Sequence, residues 1–331
     1  MPSSTFVRCA ALAAVLAATR AAAQGGALNP ACSDTAFVGP GLEAGNACAQ
    51  AFDSFAYATQ QYAILLSAGN IEPGKADAVG GFPHFRVALH VTGMSLSAPA
   101  LKSSEIPPGP ATPGAVNTQP TDFATVAADG TLGLFKGIDA GFARIGALDA
   151  WASLNIVPGS SAAGYSVTPS QKLYLAWGAR VGVIQEGKVM PGIGVSYLVR
   201  NMPKSTVIAS DLFDNTVYVY DMTIDTHAWA ATIGKHFGSV VLAFGAGQTS
   251  FSSAANITWS YNGVNPTVEP PVSATSLQTQ FFGDFGLSMS GFDIILEVGQ
   301  VEGSTLETYN TFNPAAGAPR SFASVAVSFG H

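Results

Sequence analysis

Charged residues are scarce in this chain of 331 residues, and positive charge is scarcer than negative charge. Lys and Arg together number 14 and Asp and Glu 21, which makes 11% of the residues charged and the formal net charge -7. An ordinary soluble domain carries about 25% charged residues. So few basic residues exclude the electrostatic footprint of a nucleic-acid-binding protein. The hydrophobic content of 48% excludes intrinsic disorder, which requires low hydrophobicity together with high charge.

Cysteine is also rare, and one of its positions lies within a predicted export signal at residues 1–23. Arg8 supplies positive charge, an apolar run too short to cross a membrane as a helix follows, and small residues up to Ala23 form a cleavage site. Removal of this signal peptide leaves Gln24 at the new N-terminus. Of the 3 cysteines, Cys32 and Cys48 then remain. An even pair in an exported protein predicts one structural disulfide rather than a metal site.

Long hydrophobic runs are missing from the rest of the chain. The longest uncharged stretch, from His236 to Val268, is interrupted by Gly, Ser, Asn and Gln. Only helices and closed barrels can span lipid, because every backbone polar group must be hydrogen-bonded there. The exported chain is therefore either soluble or a membrane β-barrel.

One amphipathic helix is predicted in the N-terminal segment, residues 24–80. Apolar residues recur at helical spacing from Ala47 to Ser67, with Asn46 as the predicted N-cap and Gly69 as the stop signal. The apolar stripe indicates a packing face rather than a cofactor site. We expect this segment either to plug the mouth of a barrel or to lie below it on the periplasmic side.

From residue 82 onward the hydrophobic period changes to two, which predicts β-strands. Within ten such segments the charges fall on the polar parity. Three of the segments each carry a pair of charged residues, and both members of each pair lie on that parity. A charge on a lipid-facing surface costs about 2–4 kcal/mol at mid-depth, so a membrane barrel must keep one face free of charge. The polar parity carries mainly Gly, Ser, Thr, Gln and Ala. The three charge pairs are Lys172 with Arg180, Asp221 with Asp225, and Asp293 with Glu297.

The connections between these segments alternate strictly between long and short. Long connections rich in Pro, Ser, Asn and Gly are typical of extracellular loops, and short ones of periplasmic turns. The sequence therefore predicts an all-β fold, an antiparallel transmembrane β-barrel of about ten to twelve strands over residues 81–331. The upper number arises because the segment from Asn256 to Tyr261 could either extend a hairpin or add strands.

In these features residues 82–331 resemble a Gram-negative outer-membrane β-barrel protein. The last segment, Ser321 to Phe329, is similar to the terminal strand that the barrel-assembly machinery recognises, although the chain continues to His331. Asn29-Pro30-Ala31 before a helix is similar to the N-terminal plug segment of long-chain fatty-acid transporters. The resemblance implies a location in the outer membrane, contact with its lipid, and the barrel-assembly machinery as a partner.

The sequence has no zinc-ligand spacing, no phosphate-binding loop and no nucleophile elbow, so we expect neither a cofactor nor a metal. Asp221, Asp225 and His227 share one strand face, which we expect to face the lumen. A His beside a carboxylate can act as a general base. The alternative is a hydrogen-bonded network that pairs these acids with arginines across the barrel, because buried charges need partners.

The leading functional interpretation is a monomeric passive channel or transporter for a small or hydrophobic solute, acting through lumen-facing polar residues or a lateral gap. The alternative is a structural or surface-interaction protein that acts through its long extracellular loops. A second alternative is a barrel-embedded hydrolase that uses Asp225 and His227. The candidate lumen-lining residues are His84, Arg86, His90, Asp149, Arg180, Arg200, Asp221, Asp225, His227, Asp284, Asp293 and Glu297.

Overall fold

The computed structural model describes residues 26–33, 44–70, 72–100, 110–157, 160–162, 165–210, 216–260 and 267–330. The predicted signal peptide lies outside these described residues. Among the helices of the described part, none is both long enough and apolar enough to cross a membrane.

Two helices precede the strands, α1 (Pro30–Ser33) and α2 (Ala44–Ser67). The predicted disulfide between Cys32 and Cys48 joins them, with a Cα–Cα distance of 5.5 Å. Helix α2 ends where the sequence predicted but begins three residues earlier, so Asn46 lies inside the helix and is not its N-cap. The Asn46 Oδ1 instead accepts a hydrogen bond of 2.7 Å from the backbone N–H of Thr112 in a connecting loop.

Ten long strands and five short ones follow, as the period of two predicts. They are β1 (Phe85–Pro99), β2 (Ala115–Phe135), β3 (Ile138–Asp139), β4 (Arg144–Ile156), β5 (Ser160–Ala162), β6 (Tyr165–Pro169), β7 (Leu173–Ile184), β8 (Gly192–Asn201), β9 (Ser205–Ser210), β10 (Thr216–Phe237), β11 (Val240–Ser260), β12 (Thr267–Met289), β13 (Phe292–Gly303), β14 (Thr311–Asn313) and β15 (Arg320–Gly330).

The ten long strands form a closed antiparallel barrel, which confirms the predicted fold class. Each long strand pairs with the next along the chain, and β15 returns to pair with β1 from Met94–Phe322 to Arg86–Gly330. The segment from Asn256 to Ser260 lengthens β11 and adds no further long strand. Closure leaves no free sheet edge along this part of the wall.

The two ends of the barrel differ. At one end the strands are joined by short connections, such as the two-residue turn between β10 and β11, where Gly238 has a φ of 67° that favours glycine. At the other end the connections are long and carry strand structure of their own: β5 pairs with β6, β6 with β9, and β9 with the upper part of β10. We call these the short-turn end and the loop end.

The outer face of the barrel is an exposed apolar band. Large apolar side chains alternate along the strands with buried ones, and Leu89, Phe281 and Trp177 are 57%, 60% and 55% exposed. On nine of the ten long strands, the parity that the sequence marks as apolar supplies this outer band. The opposite parity faces inward and is largely buried.

Strand β10 is the exception, and here the predicted faces are reversed. Its register shifts between Tyr220 and Thr223, and Asp221 at this bulge has a φ of 52°. Beyond the bulge, Met222, Ile224 and Ala228 are buried and pack in the same cluster as side chains of α2. The apolar parity therefore faces inward on this strand, because the helix offers an apolar surface inside the barrel.

Helix α2 occupies the lumen, as the plug alternative predicted. Its buried face packs in two apolar clusters against opposite walls: one holds Phe52, Phe55 and Leu66, and the other Ile64 and Leu65. The Tyr57 hydroxyl donates to the Pro314 carbonyl at 3.0 Å in a loop-end connection. The wall residues of the two clusters include Trp151, Tyr174, Leu198, Ile224, Phe251, Met94, Leu96, Phe282, Val301 and Phe322.

Candidate functional site: the plugged lumen

The plug has two parts, helix α2 and the segment that follows it to β1. We call the second part the lower plug, residues 68–70 and 72–80. It continues from the end of α2 toward the short-turn end, where Gly81 lies against Lys136 beyond the end of β2. The chain therefore passes through the lumen lengthwise before its first strand begins.

Glu72 is the centre of the contacts between the lower plug and the wall. Its carboxylate lies 3.2 Å from the Arg86 Nε and 2.9 Å from the Arg180 Nη2. Arg86 also contacts Asp293, and Arg180 contacts Asp149, each at 2.9 Å. Apart from Asp293, these side chains are buried. The result is an alternating chain of five charges across the lumen, in which each arginine is shared by two carboxylates.

Two wall carboxylates hold the backbone of the lower plug from the other side. The Glu297 carboxylate accepts the N–H of Asn70 at 2.9 and 3.1 Å, and the Asp284 carboxylate accepts that of Gly74 at 2.7 Å. Asp284 and Glu297 are direct neighbours across β12 and β13. Backbone donors thus lower the cost of burying both acidic groups. The second oxygen of Asp284, Oδ1, is buried without a hydrogen-bond partner among the described residues.

The lower plug is also fixed near the short-turn end. The Asp77 carboxylate forms an ion pair of 2.7 Å with Lys75 and accepts the backbone N–H of Glu186 at 2.6 Å. The Val79 N–H donates to Asp149 at 2.9 Å, and Thr232 donates to the Ala76 carbonyl at 3.0 Å. Every one of these contacts is polar.

At the loop end, Asp53 of α2 joins the helix to the connection between β13 and β15. Its carboxylate accepts the backbone N–H of Tyr309 at 3.2 Å and both the N–H and the Nδ2 of Asn310 at 2.6 and 2.7 Å. Burial raises the pKa of the Asp53 carboxyl above its ordinary value, although these hydrogen bonds act in the opposite direction. The carboxylate ties the helix to a connection that lies far away in the sequence.

A cavity of about 40 Å³ lies between the last turn of α2 and the wall formed by β1, β2, β4, β7 and β8. His90 and Asp129, which are hydrogen-bonded at 2.7 Å, line it together with Asn70. The Arg200 Nη1 and the Trp151 Nε1 are buried without a hydrogen-bond partner among the described residues. Such a polar space holds about three water molecules.

A seam in the wall lies beside this cavity. Strand β2 pairs with β4 only as far as Ala127–Asn155, whereas residues 118–126 pair with β1 alone. Within the part of the chain that the structure describes, no strand pairs with the other edge of these residues. Thr125 and Asn155, both half-buried, line the cavity next to the seam. Strand β4 ends at Ile156, so the cavity adjoins the point at which β2 extends past the end of β4.

Eight of the predicted lumen-lining residues lie on the inner face. They are joined into the plug contacts or line the cavity, and most are buried; the residues are Arg86, His90, Asp149, Arg180, Arg200, Asp284, Asp293 and Glu297. His84 precedes β1, is exposed, and its Nδ1 lies 2.7 Å from the Gly81 carbonyl oxygen. It lies at the short-turn end and not within the wall.

The remaining three predicted residues, Asp221, Asp225 and His227, lie on the outer face, so their predicted position in the lumen is wrong. All three are exposed. The His227 Nδ1 is hydrogen-bonded to the Tyr197 hydroxyl at 2.9 Å, and Asp221 pairs loosely with Lys204 at 3.6 Å. The bulge in β10 and the inward-facing apolar parity below it account for the reversal.

Sequence reasoning missed the acidic residues of the plug itself. Glu72 and Asp77 lie in the short segment between the predicted helix and the first strand, where they had no assigned role. Their position in a segment predicted as a plug was the available signal, since a carboxylate inside a barrel needs a cationic partner. The arginines of β1 and β7 were predicted to pair with Asp221 and Asp225 across the barrel, and this pairing is wrong because both acids lie on the outer face. The two arginines instead share Glu72 of the plug.

Ten closed strands, an apolar outer band and a polar, plugged lumen together define the architecture of an outer-membrane β-barrel. No family model matches this chain, and no curated protein matches it. Among solved structures it is similar to OmpT of Vibrio cholerae, with 9% identity over 78% of this chain and 100% of that chain, at a TM-score of 0.16. It is also similar to an anion-selective porin from Comamonas acidovorans, with 6% identity over 74% and 98% of the two chains and a TM-score of 0.16.

Proposed function

We propose that this protein lies in the outer membrane of a Gram-negative bacterium, with its loop end outside and its short-turn end in the periplasm. The exposed apolar band supports this location, because apolar side chains such as Leu296 and Val298 would otherwise face water. Short periplasmic turns and long extracellular loops are the usual arrangement in such barrels. Lipid is then the partner of the outer face, and the barrel-assembly machinery inserts the chain as a monomer.

We further propose that the protein is a narrow channel for a small or hydrophobic solute, gated by the lower plug. The observation that carries this proposal is a change in contact type directly below the cavity. Above it, α2 is held by two apolar clusters. Below it, Asn70, Glu72 and Gly74 are held by hydrogen bonds and ion pairs to charged wall residues, with Ile295 as an apolar neighbour of Gly74.

Polar contacts suit a gate because water can replace them. A hydrogen bond exchanged with water contributes only about 0.5–1.5 kcal/mol net. Water cannot replace apolar packing in this way, because separating the packed surfaces exposes apolar area to water at a cost of roughly 25 cal/mol per Å². The lower plug can therefore leave the wall while α2 stays seated.

The route begins at the cavity, which a solute reaches from the loop end or through the seam beside β2. At about 40 Å³ the cavity admits little more than water while the lower plug is in place. Passage then requires the lower plug to move away from Arg86 and Arg180. The mixed lining, which includes Leu66 and Ala176 as well as Asn155 and Arg200, fits a small solute that carries both a polar and an apolar part.

Single-channel recording in planar lipid bilayers tests the proposal. The double variant Glu72→Gln with Asp284→Asn removes two charges that hold the lower plug and keeps the side-chain shapes. We expect the wild type to open rarely and the variant to open often, because the lower plug detaches. The control is Glu302→Gln, which removes an exposed charge on β13 and should behave as the wild type does.

Heat-modifiable mobility in gels verifies that each variant has a folded barrel. If the folded double variant conducts no more than the control, the channel role is wrong. We do not propose the hydrolase alternative, because it placed Asp225 and His227 in the lumen. The surface-interaction alternative is supported by the position of the segment before α2, where the Gly26 N–H donates to Thr308 at the loop end.

A further inference from the structure

We infer that residues 26–33, before α2, are displayed on the loop side of the barrel, opposite the end at which the first strand begins. In the membrane orientation proposed above, on which this inference rests, that side is the cell surface. The barrel then presents an N-terminal segment of its own chain, stapled by a disulfide, in addition to its loops.

Contacts before and along α2 place this segment at the loop end. The backbone N–H of Gly26 donates to the Thr308 carbonyl at 3.0 Å, and Thr308 lies in the long connection between β13 and β15. At the start of α2, Asn46 accepts the N–H of Thr112 in the connection between β1 and β2. These partners belong to two separate loop-end connections, so the position does not depend on one contact.

The other end of the chain path lies at the short-turn end. Arg86, near the start of β1, is paired with Gly330 at the end of β15. Helix α2, which lies in the lumen, and the lower plug together cross the intervening distance. At 1.5 Å per residue the 24 residues of α2 alone rise about 36 Å. That length exceeds the hydrocarbon thickness of about 30 Å that a barrel wall must match.

The displayed segment is held as one unit. The disulfide between Cys32 and Cys48 ties α1 to the first turn of α2, and both sulfur-bearing residues are buried. The segment is then anchored to the wall through the Asp53 carboxylate and the Tyr57 ring, which stacks on Phe312 at 4.5 Å between ring centroids. An exposed surface remains at Ala27, next to the anchored Gly26.

Labelling of single introduced cysteines with a membrane-impermeant maleimide tests the inference in intact cells. Ala27→Cys probes the displayed segment, Thr305→Cys the loop end, and Ser239→Cys the short-turn end; all three positions are exposed. Cys32 and Cys48 are paired and do not react, and the parent protein measures any background. Non-reducing electrophoresis verifies that this pair stays intact in each variant.

We expect Ala27→Cys and Thr305→Cys to label equally before and after permeabilisation of the outer membrane, and Ser239→Cys to label only after it. Labelling of Thr305→Cys but not of Ala27→Cys in intact cells would overturn the display of residues 26–33. Labelling of Ser239→Cys in intact cells, with Thr305→Cys protected, would instead overturn the proposed orientation. The two failures are therefore distinguishable.

Discussion

The upper and lower halves of the plug are held by different physical interactions. Helix α2 buries Ile64 and Leu65 completely against one wall and packs Phe52 and Phe55 against the other. Among the described residues of the lower plug, Ala68 packs against the cluster of Ile64 and Leu65, and the rest belong to no apolar cluster. The lower plug is held by the ion pairs of Glu72 and the backbone hydrogen bonds to wall carboxylates.

This difference separates what anchors the plug from what closes the lumen. Apolar packing is lost all at once, because a cavity left in a core cannot be filled cheaply. Ion pairs and hydrogen bonds can be exchanged one by one with water. We therefore expect changes in α2 to alter the stability of the whole protein, and changes in the lower plug to alter mainly its closure.

The largest effect is expected for Leu65→Ala in α2. Removal of a fully buried leucine side chain costs about 2–5 kcal/mol, so the unfolding midpoint in detergent should fall strongly. The matched control is Leu296→Ala on the outer face, where the side chain is 47% exposed and detergent replaces the lost contacts. Denaturant unfolding followed by tryptophan fluorescence measures both. Equal losses in the two variants would contradict a helix core inside the barrel.

The next largest effect concerns the disulfide between α1 and α2. Replacement of Cys32 and Cys48 by serine should lower stability by about 3 kcal/mol, the amount expected for closing a loop of this length. Reduction of the wild type with a thiol should give the same loss in the same unfolding assay. The bilayer conductance should stay at the wild-type level, because the lower plug is untouched. Frequent openings after reduction would show that the two halves of the plug are not independent.

A smaller effect on stability is expected for Glu72→Gln in the lower plug. A hydrogen bond to a charged group contributes about 1.5–3 kcal/mol, and here each arginine keeps a second carboxylate partner. Single-channel openings should nevertheless become more frequent, since the central charge of the lumen is lost. Leu65→Ala should do the reverse and lose stability without such openings. An identical pattern in both variants would remove the distinction between anchor and gate.

The smallest effect is expected for Thr131→Val, which removes the hydroxyl that donates to the Glu72 carboxylate at 2.9 Å. One such bond contributes about 1.5 kcal/mol net, at the lower end of the range for charged groups, because Glu72 keeps both arginine partners. Thr275→Val is the control: this residue is exposed on β12, where a substitution should change stability by less than about 0.5 kcal/mol. Chemical denaturation of both variants in one detergent compares them. A larger loss of stability in Thr275→Val than in Thr131→Val would show that the Thr131 hydroxyl does not support Glu72.

The barrel itself was predictable from the sequence, because a period of two and alternating connection lengths are local patterns. Helix α2 and the pairing of Cys32 with Cys48 follow from equally local signals. The face of β10 was not predictable, since it depends on the bulge at Asp221 and on what fills the lumen beside Ile224. A strand packed against an internal helix turns its apolar side inward, whereas the same strand around an aqueous lumen does not.

The partners of Glu72 were beyond sequence reasoning for a different reason. Arg86 and Arg180 lie on strands that are far apart in the chain, and their heights in the wall depend on the pairing registers of all strands between them. Those registers are set by the closed ring as a whole. The residue types in the lumen could be listed from the polar parity, but their pairs could not.

The ring closed by β1 and β15 is threaded by its own chain, and this constrains the order of assembly. The Gln61 Nε2 donates to the Ala316 carbonyl at 2.5 Å, across a separation of 255 positions. A segment can enter a closed ring only lengthwise, so either the ring closes around a seated helix or the helix is drawn in after closure. On both routes, contacts between residues far apart in the sequence, such as that of Gln61 with Ala316, form last. Because contacts of this kind form slowly, the final step that seals the lumen should also set the folding rate.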